Sequence, residues 1–376
     1  MEAGEVKPGR EVLKAFGLEP EGWSVSLLTR GHINRTFTLC AAGKTDPEYL
    51  LQQINTYVFG PPERLMHNME LVTATIREAN LREGLDPDTH GINLLRTLSG
   101  ASVFTDSQGL AWRMMKYIPD HRVYDVVSSD HVAREGGRAY GIFLRQLSVI
   151  NPEELFEVIP GFHDLGLRLE QFDRALEAAS AERKTDAEPE IRETRLQRDR
   201  FAGTVLYGEV NSLPLRVTHN DTKSNNVLFT RDDRALCVVD LDTVMKGRVH
   251  YDFGDAIRTA AASAREDIED PAEMKFVFER FRAFSEGYLG VVAPILTKEE
   301  AGSLYLAPSY FAFIMGLRFL TDYLNGDKYF QILRKNHNLQ RTRAQYALMK
   351  EMQKDEGRMR DTLAGLYEKY TGLATG

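Results

Sequence analysis

The segment most informative about the fold is VTHNDTKSNNVLF, residues 217–229. It places a histidine, an aspartate, a lysine and an asparagine within eight positions, between two apolar runs that are typical of β-strands. A further strand pattern, ALCVVD, follows and ends at Asp240. Because two strands joined by a short loop form a hairpin, Asn226 and Asp240 are expected at neighbouring chain ends. The pattern therefore predicts a polar site at one end of a short hairpin.

The oxygen-bearing side chains of this predicted site suit a hard cation. Mg²⁺ usually takes one or two oxygen ligands from protein and the rest from water and phosphate groups, and Asn226 and Asp240 offer two such oxygens. Asp221 precedes Asn226 by five residues and can face the hydroxyl group of an acceptor. The spacing H-x-D-x-x-x-x-N, followed by a carboxylate at the end of the next strand, is that of a kinase catalytic loop. The alternative is a solvated polar loop without chemistry.

Length and composition set the broad limits. A chain of 376 residues predicts two domains, and a net charge of −8 disfavours nucleic acid as a partner. The two cysteines form no C-x-x-C motif, so no disulfide framework is expected. The N-terminal residues show no signal-peptide core, and no apolar run reaches about 18 residues, so no membrane partner is expected. We expect a cytoplasmic protein that is a monomer or a weak dimer.

The N-terminal third of the chain is rich in strand patterns. Alternating apolar and β-branched residues predict strands within residues 23–59 and 92–118. Between them, residues 62–84 carry apolar residues at helical spacing behind a proline, which predicts one amphipathic helix. These elements predict a small β-rich lobe formed by residues 1–118.

From about residue 128 onward the patterns become helical. They predict a larger, mostly helical lobe over residues 119–376, into which the short hairpin is inserted. The charged stretch 181–194 contains a proline and few apolar residues, and we predict that it is a loop connecting two helices. The fold class predicted from these patterns is α+β in two lobes.

Longer motifs carry a resemblance to a known family. They span residues 31–330 and read GHINRTF, LLQQINTYVF, IPGFHDL, THNDTKSNNVLF, DLDTVMKGRVHYDFGDAIR and GLRFLTDYLNGDKYF. The chain resembles the aminoglycoside phosphotransferase and choline kinase superfamily and, more narrowly, the bacterial N-acetylhexosamine 1-kinases. The resemblance implies a bilobal protein-kinase-like fold, with a nucleotide-binding N-terminal lobe and a catalytic, sugar-binding C-terminal lobe. It also implies ATP and Mg²⁺ as cofactors and a small sugar as the acceptor.

The resemblance assigns roles within the opening motif. Asp221 would orient the sugar hydroxyl and accept its proton, and Lys223 would meet the γ-phosphate of ATP. Asn226 and Asp240 would hold Mg²⁺ against the phosphates. The alternative for Lys223 is a solvent-facing lysine. His219 is expected to brace the loop rather than to carry protons.

On the acceptor side the resemblance indicates Asp242, Arg318 and Tyr329. Asp242 lies two residues beyond the predicted metal ligand, so on an extended strand its side chain would point to the same side. Arg318 and Tyr329 offer planar hydrogen-bonding and aromatic groups that suit an acetamido sugar. The alternatives are a surface salt bridge for Arg318 and a core tyrosine for Tyr329. Weaker sugar-binding candidates are His32, Phe162 and His163.

The nucleotide side departs from the usual kinase pattern. The candidate phosphate loop has one glycine, and Gly31 and Asn34 are its predicted ATP-binding residues. Where kinases carry a lysine on the third strand, this chain has Gln52, a predicted ATP contact without charge, beside Gln53. Glu70 on the following helix then has no evident partner. The candidates for the missing positive charge are Lys223, Arg30 and Arg35.

Two further segments resemble kinase features. In RMMKYIPD, Met115 and Tyr117 are candidate adenine contacts, although an apolar edge strand explains them equally well. The triplet Asp252-Phe253-Gly254 spells the kinase DFG motif, but it lies twelve residues after the carboxylate at the strand end. We therefore expect Asp252 and Asp255 to be structural carboxylates that accept backbone N–H bonds and anchor the catalytic hairpin.

Three functions follow from these features. The first is phosphorylation of the anomeric C1 hydroxyl of N-acetylglucosamine or N-acetylgalactosamine by ATP. The second is a kinase for another small hydroxyl acceptor, such as a different sugar, homoserine, an amino alcohol or an aminoglycoside. An aminoglycoside is disfavoured because a polycation would meet Arg318 instead of an acidic pocket. The third is a nucleotide-binding pseudokinase, against which Asp221, Asn226 and Asp240 argue.

Overall fold

The computed structural model describes residues 7–28, 33–207 and 212–375. The chain divides into two units. The first contains the residues up to His121 together with two later segments, residues 153–160 and 236–245, and the second contains the rest. The segment that carries Asp240 therefore belongs to the first unit, although it lies far along the chain.

The first unit is built on an antiparallel sheet. Its strands are β1 Trp23–Leu28, β2 Arg35–Ala41, β3 Tyr49–Gln53, β4 Leu94–Leu95, β5 Phe104–Thr105 and β6 Ala111–Lys116. Its helices are α1 Arg10–Ala15, α2 Thr56–Phe59 and α3 Pro62–Arg82. Among the described residues the strand order is β1-β2-β3-β6-β4, and β5 also pairs with β6. Strands and helix lie where the sequence patterns predict them.

Side-chain alternation determines which face of this sheet forms the core. Leu39 of β2, Leu51 of β3 and Trp112 and Met114 of β6 are fully buried in one apolar cluster, which α1 covers. Because successive side chains of a strand point to opposite faces, Arg113 faces away from this cluster. It faces the side on which Met69 of α3 lies.

Beyond His121 the chain is mostly helical. The helices are α4 Asp130–Leu147, α5 Leu165–Ala178, α6 Ala181–Asp186, α7 Glu188–Ala202, α8 Val249–Ala260, α9 Phe278–Val292, α10 Lys298–Ser303, α11 Ala307–Leu324, α12 His337–Lys354 and α13 Glu356–Thr371. The short strands are β7 Arg216–Thr218, β8 Val227–Phe229, β9 Ala235–Val238 and β10 Met245–Gly247. Helices α4 and α9 pack closely, since a Cβ atom on Gly137 would lie 2.1 Å from the carbonyl oxygen of Phe284.

The prediction of a loop over residues 181–194 is wrong. Helix α6 begins after Ser180, whose hydroxyl accepts the N–H of Arg183, and α7 carries its proline in the first turn, where proline is tolerated. Polar and charged residues of α7 form hydrogen bonds with α12. Thr194 hydrogen-bonds to the hydroxyl group of Tyr346 at 2.8 Å, and Glu190 accepts a bond from Arg343 at 2.9 Å.

One helical run among the described residues has the length and apolar composition of a membrane span. It covers Lys298–Leu324, and 72% of its most apolar window is buried inside the protein. Core helices of this kind pass the same test of composition, because they are apolar on all sides.

Candidate active site

The loop that carries Asp221 is anchored by a buried carboxylate on α8. Asp252 accepts the backbone N–H of His219 at 2.8 Å and that of Asn220 at 2.7 Å. Its own carbonyl accepts the hydroxyl of Thr222 at 2.6 Å. Burial raises the pKa of Asp252 to about 6, while the two backbone N–H bonds act in the opposite direction. The predicted anchoring role of Asp252 is confirmed.

Asp255 has a different role from the predicted one. Its carboxylate lies 2.7 Å from the guanidinium of Arg258, one turn further along α8, and both side chains are buried. Arg258 also pairs with Glu266 at 3.0 Å. Asp255 thus belongs to an ion-pair network with Arg258 and Glu266.

The backbone of the loop takes a left-handed turn at Asn220, with φ of 63°. Asparagine tolerates this region better than most residues. The turn is supported by Thr218, which donates to the Asn220 side chain at 3.1 Å, and by His163, whose Nε2 lies 2.8 Å from the Asn220 carbonyl. Gly247 on β10 allows the close approach, since a Cβ atom there would lie 2.2 Å from the Thr218 hydroxyl. These hydrogen bonds therefore fix the backbone that carries the Asp221 side chain.

His163 and His219 both brace this loop. Burial lowers the pKa of His163 to about 3, so its ring is neutral when it contacts the Asn220 carbonyl. His219 is fully buried, and its Nδ1 accepts the backbone N–H of Asp221 at 3.2 Å. The prediction that His219 braces the loop is confirmed. His163, a weaker candidate for sugar binding, has the same structural task.

Asp221, Lys223 and Asn226 come together as a group. The ammonium nitrogen of Lys223 lies 3.1 Å from Asp221 Oδ2. Asn226 Nδ2 donates to the backbone carbonyl of Asp221 at 2.8 Å and to its Oδ2 at 3.2 Å. Burial acts to raise the pKa of Asp221, but the charge and the hydrogen bond of Lys223 outweigh it and hold the pKa below its usual value. Asp221 is therefore ionised at neutral pH and able to accept a proton.

The geometry of Asn226 fits a metal ligand. Because its amide nitrogen bonds to Asp221, its amide oxygen points to the opposite side and is left as an acceptor. Asp240 follows β9 in the left-handed region, with φ of 62°, directly before a short 3₁₀ turn, Leu241–Thr243. Both residues offer oxygen donors of the kind that Mg²⁺ prefers. Their roles as metal ligands stay predictions.

On the acceptor side, Arg318 is surrounded by aromatic rings. Its guanidinium carbon lies 5.0 Å from the ring centre of Phe162, 5.5 Å from that of Phe330 and 5.9 Å from that of Tyr329. Burial lowers the pKa of Arg318, whereas Tyr329 and the charge of Asp221 raise it. Among the described residues Arg318 thus contacts these rings and the sulfur of Met315, and it forms no salt bridge. Tyr329 is 55% exposed and is not a core tyrosine.

Sequence reasoning missed the residue that holds the backbone of Tyr329 in place. Asp322, buried in α11, accepts the backbone N–H groups of Lys328, Tyr329 and Phe330 at 2.9, 2.8 and 3.0 Å. It also accepts a bond from Asn338 Nδ2 at 2.8 Å. The sequence signal was a carboxylate inside a mostly apolar helix, a position that requires buried partners.

Arg168 on α5 is a second unexpected residue on this side. It donates to the carbonyl of Phe162 at 2.8 Å and to Gln171 at 2.8 Å. Burial, together with the charge of Arg318, lowers the pKa of Arg168 to about 10. Two guanidinium groups and the carboxylates of Asp221 and Asp164 therefore act on the same region of the second unit.

The structure corrects the prediction for Asp242. The residue lies in the 3₁₀ turn after Asp240 and not on an extended strand, so side-chain alternation does not apply. Its side chain is 2% exposed and forms an ion pair with the buried Arg113. It also accepts a hydrogen bond from Asn34. Asp242 is thus engaged inside the first unit, and its role as a sugar contact stays a prediction.

The predicted ATP-binding residues Gln52 and Asn34 are likewise engaged within the first unit. Gln52 donates to the Thr36 hydroxyl at 2.9 Å, and its Oε1 accepts bonds from Arg113 at 2.9 and 2.7 Å. Asn34 Oδ1 accepts the backbone N–H of Asn55 at 2.9 Å. Both side-chain amides thus have hydrogen-bond partners within the first unit, and their roles as ATP contacts stay predictions. The buried cation beside Gln52 is Arg113, which was not among the candidates for the missing charge.

The remaining predictions on the nucleotide side stay predictions. Met115 is buried in β6, and the N–H of Tyr117 donates to the carbonyl of Glu48 at 2.9 Å. Gly31 and His32 lie outside the described residues. Glu70 does have a partner, since it forms an exposed ion pair with Arg96 at 2.7 Å.

The model of the APH family, described as a phosphotransferase enzyme family, matches residues 25–288, which is more than half of the chain. The chain belongs to this family. Kinases of small molecules also share its fold. A microcompartment-associated aminopropanol kinase is 14% identical with a TM-score of 0.59, over 93% of this chain and 97% of that chain. An ethanolamine kinase from Plasmodium vivax is 12% identical with a TM-score of 0.57, over 91% of each chain.

A spectinomycin phosphotransferase, solved in complex with ADP and spectinomycin, is 12% identical with a TM-score of 0.55, over 93% of this chain and 97% of that chain. At such identities the likeness shows the fold alone. The predicted fold class, a kinase-like α+β fold with a sheet-based N-terminal part and a mostly helical remainder, is confirmed. As a member of this phosphotransferase family the protein is an enzyme, and the family implies ATP as the donor and usually Mg²⁺.

Proposed function

We propose that this phosphotransferase transfers the γ-phosphoryl group of ATP to the anomeric C1 hydroxyl of N-acetylglucosamine or N-acetylgalactosamine. The observation that carries the proposal is the guanidinium of Arg318, enclosed by Phe162, Tyr329 and Phe330 and close enough to Asp221 for its charge to act. A planar donor among aromatic rings suits an uncharged sugar with an acetamido group. The motif GLRFLTDYLNGDKYF, which resembles N-acetylhexosamine 1-kinases, supplies both Arg318 and Tyr329.

The charge on this side separates the proposed substrate from other acceptors of the family. Arg318 and Arg168 would repel the ammonium groups of an aminoglycoside or an amino alcohol. A neutral hexosamine derivative has no such cost, because its acetamido group is uncharged. The exposed ring of Tyr329 would stack on the apolar face of the sugar.

In the proposed mechanism, Asp221 orients the C1 hydroxyl and accepts its proton as the oxygen attacks the γ-phosphorus, whose bond to the bridging oxygen breaks so that ADP leaves. Lys223 holds Asp221 ionised and would then meet the transferred phosphoryl group with its positive charge. Bound Mg²⁺ would neutralise the phosphate oxygens of ATP, and Asn226 and Asp240 would supply its protein oxygens. The protein thus contributes position and charge, because phosphoryl transfer requires little covalent work from it.

The proposal is tested by measuring ADP formation with Mg²⁺-ATP and a panel of free sugars, with and without the 2-acetamido group. We expect turnover with N-acetylglucosamine or N-acetylgalactosamine, and a product whose phosphate is bonded to C1 in phosphorus and proton NMR spectra. Phosphorylation of ethanolamine, homoserine or an aminoglycoside in preference to these sugars would contradict the proposal. ATP binding without turnover of any acceptor would indicate a pseudokinase.

A further inference from the structure

The first unit contains a buried arginine in the middle of its sheet. Arg113 lies on β6 between the core residues Trp112 and Met114 and is 1% exposed. A charged group at this depth is unfavourable unless it is paired and hydrogen-bonded. Its presence in an otherwise apolar strand therefore requires a specific set of partners.

Those partners connect three separate parts of the unit. Gln52 on β3 accepts two bonds from the Arg113 guanidinium, and Met69 on α3 accepts a third at 2.7 Å. The remaining partner is Asp242, whose carboxylate forms an ion pair with Arg113. Thr36 on β2 fixes the other end of the Gln52 amide. A buried polar network therefore runs across the sheet and ends on the segment that contains Asp242.

The segment of residues 240–245 is held to the sheet and to α3 at two further points. Asn34 donates to the Asp242 carboxylate, and Asn68 of α3 donates to the carbonyl of Val244 at 3.0 Å. Asp240, the predicted metal ligand, sits in the left-handed region immediately before this tethered turn. Non-glycine residues persist in that region when the surrounding structure determines their conformation.

We propose that Arg113 is a positioning residue for the metal site. Through its ion pair with Asp242 it fixes the turn Leu241–Thr243, and it thereby sets the direction in which the Asp240 carboxylate points. The inference rests on the proposed role of Asp240 as a ligand of Mg²⁺. Gln52 then has a function as well, because it orients the side chain of Arg113 in a sheet that carries no lysine on β3.

The ion pair offers a way to separate positioning from folding. Removal of one partner leaves an unpaired buried charge, which destabilises the protein, whereas replacement of both partners by uncharged groups of similar size is often tolerated. Arg113→Met should therefore lower the melting temperature, and the double variant Arg113→Met with Asp242→Asn should regain most of that loss. If the pair also positions Asp240, the double variant should still bind the metal poorly.

The experiment measures Mn²⁺ binding by calorimetry on the full chain saturated with a non-hydrolysable ATP analogue, beside thermal unfolding. We expect Mn²⁺ affinity to fall about 10-fold to 100-fold in Arg113→Met and to stay low in the double variant, as for other partners of metal ligands. Arg113→Lys should fall between, because a lysine keeps the charge but not the bidentate geometry. The matched control is Arg96→Met, which removes an exposed ion pair of the same unit and should leave Mn²⁺ affinity unchanged.

Two outcomes would overturn the inference, and they are distinguishable. If the double variant regains Mn²⁺ affinity together with its melting temperature, the network is structural and Arg113 positions nothing. If Asp240→Asn leaves Mn²⁺ affinity at the wild-type value, the proposed metal role of Asp240 fails, and the positioning role fails with it. A low affinity in Asp240→Asn and in the double variant supports both.

Discussion

Lys223 is the residue whose replacement tests the chemistry of the loop most sharply. Its ammonium nitrogen lies 3.1 Å from Asp221 Oδ2, and the two side chains are 36% and 26% exposed. At this distance the attraction is about 1.3 kcal/mol in water and about 5 kcal/mol at an effective dielectric constant of about 20. Because both groups are partly solvated, the lower part of this range applies. In Lys223→Met this attraction is lost, and the pKa of Asp221 should rise.

The pH profile of kcat/KM reports this change, since the general base must be ionised in the free enzyme. A raised pKa of Asp221 moves the acid limb of the profile to higher pH. We also expect kcat to fall about 100-fold to 1,000-fold, the usual cost of removing a group that stabilises transition-state charge. Lys223→Arg is the matched control, because it retains the charge and should keep the acid limb in place. An acid limb that does not move, with kcat/KM for ATP within about twofold of wild type, would refute both roles of Lys223.

Three further predictions concern single carboxylates. Asp221→Asn should abolish turnover but keep the wild-type Kd for ATP in calorimetry, because the residue acts on the acceptor; an active Asp221→Asn enzyme would contradict the mechanism. Burial raises the pKa of Asp252 from 3.8 to about 6, so the folded state binds the proton more tightly than the unfolded chain, and stability falls as pH rises through this window. Relative to Asp252→Asn, urea unfolding of the wild type should lose about 3 kcal/mol between about pH 4 and pH 7; parallel pH curves would exclude this. Asp322→Asn removes an acceptor from the turn that carries Tyr329 and should raise KM for the sugar about tenfold with little change in KM for ATP, as expected of a lost charged hydrogen bond; an equal rise in both would indicate general unfolding.

Local patterns in the sequence predicted the local parts of the structure. Alternation in WSVSLL matches β1, and the apolar spacing behind Pro62 matches α3, because each pattern depends on neighbours within the same element. The catalytic loop was predictable for the same reason: Asp221, Lys223 and Asn226 lie so close in sequence that one loop brings them together.

Features that depend on distant partners were not predictable in this way. Helix α7 looks like a loop by composition, but Tyr346 and Arg343 on α12 satisfy its polar residues. The predicted direction of the Asp242 side chain was wrong. Asp240, which precedes it, is in the left-handed region, and Asp242 itself lies in a 3₁₀ turn, so the alternation of a strand does not apply. Arg113 was missed because its importance arises only when β3 and β6 pair and bring it beside Gln52.

The predicted acceptor side shows the same contrast between residues close in sequence and residues brought in from a distant helix. The resemblance supplied Arg318 and Tyr329, which are eleven residues apart in sequence and lie together in the structure. It did not supply Arg168, which comes from a different helix and adds positive charge to the same region. The positive charge on this side therefore comes from the folded arrangement more than from any single motif.

The central claim is that this phosphotransferase phosphorylates an N-acetylhexosamine at C1. The most direct measurement is the ratio of kcat/KM for N-acetylglucosamine or N-acetylgalactosamine to that for ethanolamine, with Mg²⁺-ATP and with Asp221→Asn as the inactive control. We expect a ratio well above about 100 and a product that NMR identifies as the sugar 1-phosphate. A ratio below one, or a product phosphorylated at any other hydroxyl, would contradict it.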